Sequence, residues 1–210
     1  MKHFKKGQEP EKFRDWKAQA NENWQPKFED LRGDEKKAVL KSLFKEQGYI
    51  CCYCESRLTM GNCHIEHLQP QSNPKIDPLD YSNLLCSCQN NLKKGEPKHC
   101  GNSKGDHILP ISPLDPTCES RFSFNNKGEI IPAKDDDTEA LDTIDKLLKL
   151  NSRDIVNTRQ EVIAFFDEEI DQKSEEEISA FIRDSLDKDQ DGKYEEHWTL
   201  IKDLYGSFII

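Results

Sequence analysis

Glu66 and His67 stand side by side, and a carboxylate next to an imidazole is the smallest constellation in this chain equipped for hydrolysis. At a strand end the carboxylate can hold a hard divalent ion such as Mg²⁺ against a phosphate, while the imidazole takes a proton from water as general base. The ion would offset charge developing on the phosphoryl group and on the leaving oxygen. Asn83 follows a loop and is expected to hydrogen-bond across it, orienting His67. Taken alone, His64-x-x-His67 suits a zinc pair or a buried polar contact equally well.

Cysteines crowd around this pair. Cys51, Cys52, Cys54, Cys63, Cys86, Cys88 and Cys100, seven of the eight in the chain, lie between Tyr49 and Gly105 together with His64, His67 and His99. The N-terminus carries Lys2, Lys5 and Lys6 with no apolar stretch behind them, and no run of eighteen apolar residues exists, so the chain reads as cytoplasmic with no membrane partner. In a reducing compartment clustered thiols point to metal before disulfides. Cys51-x-x-Cys54 is half of a tetrahedral zinc site, because two intervening residues let both thiolates meet one ion at a tight turn. The other half must come from Cys86, Cys88 and Cys100. Cys86 and Cys88 are poor joint chelators on an extended chain, since alternate side chains share a face with no turn between them. Cys88 with Cys100 is therefore preferred, and the exchange of Cys86 for Cys88 stays open. The zinc would be structural, worth on the order of 10 kcal/mol to a small core.

Two decoys fall away. His64-Ile65-Glu66 matches the His-x-Glu of zinc nucleobase deaminases, but the required downstream Pro-Cys-x-x-Cys is missing. Asp187, Asp189, Asp191 and Gly192 begin a calcium loop whose twelfth position, which needs a bidentate Glu, is Trp198, so a polar turn between helices is expected there. The rival to a nuclease is a zinc module that binds nucleic acid or protein without catalysis; such a module has no use for Glu66 beside His67.

These residues need a scaffold, and at 210 residues with 34% hydrophobic and 33% charged residues the core is modest. Residues 10–48 read as helical, with Val39, Leu40, Leu43 and Phe44 at helical spacing behind a cap at Gly33-Asp34. From Tyr49 the period shortens: Tyr49–Cys54 and Cys63–Leu68 are strand-like, Cys86–Gly101 is expected as an irregular basic loop, and Phe122–Phe124 with Glu129–Pro132 makes a hairpin. Asp135–Thr138 caps the first of several C-terminal helices, and Ser174–Glu177 is a capping box for a later one. Residues 1–134 carry 21 Lys+Arg against 18 Asp+Glu, a net of +3, whereas residues 135–210 carry 9 against 22, a net of −13. Polyanions would be repelled by the second part, which is expected to face a protein. Lys93, Lys94, Lys98 and Lys104 are candidates to neutralise phosphates without reading sequence.

Cys51-x-x-Cys54, Glu66-His67-x-x-Pro70, Asn83-Leu84 and Cys100-x-x-x-Lys104-Gly105 resemble the core of HNH endonucleases. The phrases Gln47–Cys51, Ile65–His67, Asp80–Leu85, His99–Gly101 and Ser112–Pro116 are similar to the retron-associated HNH subfamily, to which the PtuB-type nucleases of Septu antiphage systems belong. The likeness covers residues 1–132 and is faint beyond. It implies a treble-clef ββα-metal core at residues 49–134, and with the helical patterning at 1–48 and the acidic helical patterning at 135–210 the chain is expected to be an α+β fold with an N-terminal helical lead and a C-terminal helical region. It further implies DNA cleavage in partnership with a PtuA-like AAA/ABC-type ATPase, and an association with a retron reverse transcriptase and its DNA. By the family pattern His67 is the base, Glu66 the metal ligand and Asn83 the middle asparagine. The pattern breaks after the last knuckle cysteine, where Gly101 stands in place of His or Asn; Asn102, then His99, are the nearest substitutes as second Mg²⁺ ligand.

Overall fold

Helix α1 (Glu11–Lys17) and helix α2 (Gly33–Glu46) form the N-terminal lead, and the apolar stripe Val39, Leu40, Leu43 and Phe44 of α2 is buried as its spacing predicts. A computed structural model describes residues 1–90 and 92–210; Asn91, within the expected basic loop, lies outside the described residues. The cap of α2 differs from expectation. The helix begins at Gly33 with no side-chain cap, and Asp34 and Glu35 instead place negative charge at its positive end.

Strands β1 (Cys63–His67) and β2 (Leu84–Cys88) pair antiparallel, Glu66 opposite Leu85 and His67 opposite Leu84. The expected irregular loop therefore starts only after Cys88. Residues 49–54 form no strand; a single bridge between Ile50 and Arg57 clasps a tight turn that carries Cys51 and Cys54. Helix α3 (Cys100–Lys104) packs on the β1–β2 pair and completes a ββα unit. Buried Gln47, at the end of α2, staples the unit together: its amide donates to the carbonyls of Ile50 and Cys86 at 2.9 and 2.8 Å and accepts from the Cys86 N–H at 2.7 Å.

Strands β3 (Phe122–Phe124) and β4 (Ile130–Pro132) form the expected hairpin. Helix α4 (Thr138–Asp142), capped by Asp137 and prolonged by a π turn over Thr143–Leu147, is followed by α5 (Arg153–Asp171), α6 (Glu175–Leu186) and α7 (Trp198–Tyr205). Ser174 and Glu177 make the capping box of α6. Between α6 and α7 the side chain of Asp189 accepts from the N–H groups of Asp191 and Lys193, closing the loop on itself as a polar turn.

The acidic surface of the C-terminal helices hides an inner face that packs on the knuckle. His197 bonds the Cys54 carbonyl at 3.0 Å, Glu55 accepts from Thr199, and Arg57 bonds the Tyr194 carbonyl and Glu196. Gly48, at φ +56, lies so close under the Tyr194 ring that any Cβ would collide with it. Buried residues from the lead, the ββα unit and the C-terminal helices belong to one hydrophobic cluster. Among the described residues no helix is long and apolar enough to cross a membrane.

Candidate active site and metal centre

The Sγ atoms of Cys51, Cys54, Cys88 and Cys100 converge within 4.8 Å of one another, all four residues buried. Tetrahedral zinc with bonds of about 2.3 Å sets its sulfurs about 3.8 Å apart, and Cys54 and Cys88 already lie at 3.6 Å. The surroundings suit a thiolate centre: the Cys88 N–H donates to the Cys51 sulfur at 3.4 Å. Cys52, Cys63 and Cys86 are buried outside the group, with Cys86 pointing to the opposite side of β2 from Ser87.

The alternation of β1 decides what lies beside the knuckle. His64 and Glu66 share the face turned to α3, while His67 shares the opposite face with Ile65. Glu66 is buried, and its two oxygens have different surroundings. Oε1 accepts from the Tyr53 hydroxyl at 3.0 Å and pairs with Lys104 Nζ at 3.1 Å; Oε2 faces His64 Nε2 at 3.4 Å. Burial alone would raise this carboxyl, but the bond from His64 and the Lys104 ammonium outweigh it and hold the group below the usual carboxylate range. Glu66 is thus an anion with one oxygen anchored and one presented, as a monodentate ligand for a divalent ion requires.

His67 is oriented from two sides. Nε2 lies 2.9 Å from the Pro78 carbonyl, which can only accept, so the proton sits on Nε2 and Nδ1 keeps its lone pair. The Gln71 amide caps Nδ1 at 3.1 Å, and the Phe28 ring packs against the imidazole in a T-shaped arrangement with centroids 4.4 Å apart. Burial lowers the ring's basicity against the pull of the Pro78 carbonyl and Glu66, leaving a neutral imidazole at neutral pH. Asn83 does not touch His67. Its side chain exchanges two bonds with the Gln69 backbone, at 2.7 and 2.9 Å, and pins the chain just past β1 on which Gln71 sits.

The remaining expected site residues fall elsewhere. Asn102 donates to the Gln89 carbonyl at 2.7 Å, and His99 lies against the knuckle with Nδ1 3.2 Å from the Cys100 sulfur, so neither joins Glu66 as an Mg²⁺ ligand. Lys104 is no phosphate contact: it is 1% exposed and donates to the carbonyls of His67 and Gly105 at 2.9 and 3.2 Å besides its pairing with Glu66. Lys93, Lys94 and Lys98 are exposed on the loop between β2 and α3. Tyr53, Gln71 and Pro78 give no signal of their role in sequence, because each acts through a contact made across a loop. His64 does give one, standing two residues before Glu66 on a strand.

No family model matches the chain. A Vibrio cholerae (serotype O1 biovar El Tor) protein named "Retron Vc95 putative HNH endonuclease" is 37% identical over 100 residues, a match covering 46% of this chain and 48% of that protein. The chain thus spans about half the length of this curated relative.

Proposed function

We propose that this chain is a metal-dependent HNH-type endonuclease that hydrolyses phosphodiester bonds of DNA, serving as nuclease effector of an ATPase-coupled antiphage system. The observation that carries the reading is the buried Glu66 anion, held against α3 by Lys104 beside a four-cysteine knuckle, with His67 next to it at the end of β1 on the opposite face of the strand. The name of the Vibrio relative supports the nuclease class and the retron association. The PtuA-like ATPase, the antiphage setting and a retron reverse transcriptase as partner rest on the sequence resemblance alone.

In this reading His67 takes a proton from the attacking water at Nδ1 once Gln71 swings aside. The Pro78 carbonyl keeps the other nitrogen protonated and steadies the imidazolium that forms. Glu66 would hold the catalytic divalent ion through Oε2, while Lys104 and Tyr53 fix Oε1. When bound, the ion supplies neutralisation of charge on the phosphate and leaving oxygen. Lys93, Lys94 and Lys98 track the DNA backbone without reading sequence.

One observation favours the alternative of a non-catalytic zinc module: both nitrogens of His67 are engaged and the residue is 6% exposed. Cleavage of plasmid and phage DNA with Mg²⁺ or Mn²⁺ separates the two, comparing wild type with His67→Ala, alone and with the co-expressed ATPase. A fall of about 10²- to 10⁴-fold in the variant is expected of a lost general base. If zinc-loaded wild type cuts nothing under any of these conditions, the binding module stands instead.

A further inference from the structure

The break in the family pattern at Gly101 has a structural counterpart. Helix α3 approaches β1 so closely there that a Cβ on residue 101 would collide with Glu66 Oε2 and sit 2.8 Å from His64 Nε2. A side chain at 101 would therefore fill the space onto which Glu66 Oε2 opens. The strand supplies a second donor to that space: His64 Nε2 lies 3.4 Å from Glu66 Oε2, and the two adjacent ligands of an octahedral ion bound at about 2.1 Å stand about 3 Å apart. His64 is exposed by about a quarter while Glu66 is buried, so the open side, where water and a phosphate oxygen would complete the shell, lies at the imidazole.

Resting on the nuclease reading, we infer that His64 is the second protein ligand of the catalytic ion, paired with Glu66 Oε2, and that Gly101 is the vacancy that admits the ion. One imidazole and one carboxylate make a mixed nitrogen–oxygen site. Mg²⁺ prefers oxygen ligands throughout, whereas imidazole suits first-row transition ions. Mn²⁺, at home with carboxylate and water and tolerant of nitrogen, is the ion this pair selects over Mg²⁺.

The test uses zinc-loaded protein carrying His67→Ala, so that the only imidazole on this stretch of β1 is His64, and Mn²⁺ alone as probe. Paramagnetic resonance is expected to count one Mn²⁺ per chain beside one zinc, with nitrogen-14 modulation from a directly bound imidazole. Adding His64→Ala should abolish the modulation and weaken Mn²⁺ binding by at least about 10-fold with zinc content unchanged. Gly101→Ser should weaken binding similarly while leaving the modulation donor in place. The inference is overturned if Mn²⁺ binding and its nitrogen signal survive His64→Ala, or if no Mn²⁺ binds beyond the zinc. It is also overturned if binding weakens on His64→Ala but the His67→Ala parent shows no nitrogen modulation, the sign that His64 only orients Glu66. None of these outcomes touches the cleavage comparison of wild type with His67→Ala, on which the nuclease reading stands or falls separately.

Discussion

Lys104 separates the two ways of reading a lysine beside the Glu66 carboxylate. Lys104→Met keeps the buried aliphatic stem and removes the ammonium. Three acceptors then lose their donor: the carbonyls of His67 and Gly105, and Glu66 Oε1. Removing one partner of a buried ion pair costs about 3–5 kcal/mol. Glu66 keeps its bonds to Tyr53 and His64, which places the expected loss near the lower end, about 3 kcal/mol. Urea unfolding at fixed free zinc should register this as a fall in midpoint of about 1–1.5 M, taking a slope of about 2–3 kcal/mol per molar. Binding of DNA to the folded variant should keep its salt dependence. A lysine that met phosphate would do the reverse, leaving stability within about 0.5 kcal/mol and reducing the salt slope by about 1. That second result would refute the buried-clamp assignment. Replacing exposed Lys93, Lys94 and Lys98 together is the control, expected to leave the midpoint in place and flatten the salt dependence.

Two further outcomes follow from the knuckle and from the first C-terminal cap. Cys88→Ser should lose zinc by elemental analysis and unfold, since structural zinc is worth about 10–16 kcal/mol in small folds, whereas Cys86→Ser should keep one zinc and cost about 1–3 kcal/mol for a buried hydroxyl. Asp137→Ala should cost about 1 kcal/mol in thermal or urea unfolding, because Asp137 caps the Ala140 N–H. The Arg121 guanidinium, 2.6 Å away, holds the Asp137 carboxyl down to about 2. A depressed carboxyl contributes fully above its ordinary value of about 3.9 and is lost only as pH falls through the folded value. The gap between wild type and Asp137→Ala should therefore be flat from pH 5 to 8.

Spacing made the first half of the knuckle legible: Cys51-x-x-Cys54 can only be a turn that brings two thiolates together. Periodicity made the buried stripe of α2, the capping box at Ser174 and the β3–β4 hairpin legible for the same reason, that each is a local rule satisfied within a few residues. Burial was the missing quantity elsewhere. Lys104 has the charge of a phosphate contact, and nothing in its neighbours along the chain announces that α3 turns it under the β1–β2 pair. The charge tally of residues 135–210 likewise describes an outer surface, while the inner face that sends His197, Glu196 and the backbone of Tyr194 to the knuckle is invisible to a sum of signs.

Asn102 and His99 show where nearness along the chain misleads. Successive residues on a helix diverge by about 100°, so Asn102 cannot take the direction in which a side chain at 101 would point. It turns instead to the Gln89 carbonyl, and His99, ahead of the helix, turns to the Cys100 sulfur. On a strand the arithmetic is opposite: two residues restore the same face, and His64 returns to the side of Glu66. A missing ligand at 101 is therefore better sought two residues back on β1 than one residue on along α3. The collision any Cβ at 101 would make with Glu66 Oε2 ties the two positions together, because the glycine that removes a ligand from the helix is also what leaves the space between His64 and Glu66 open.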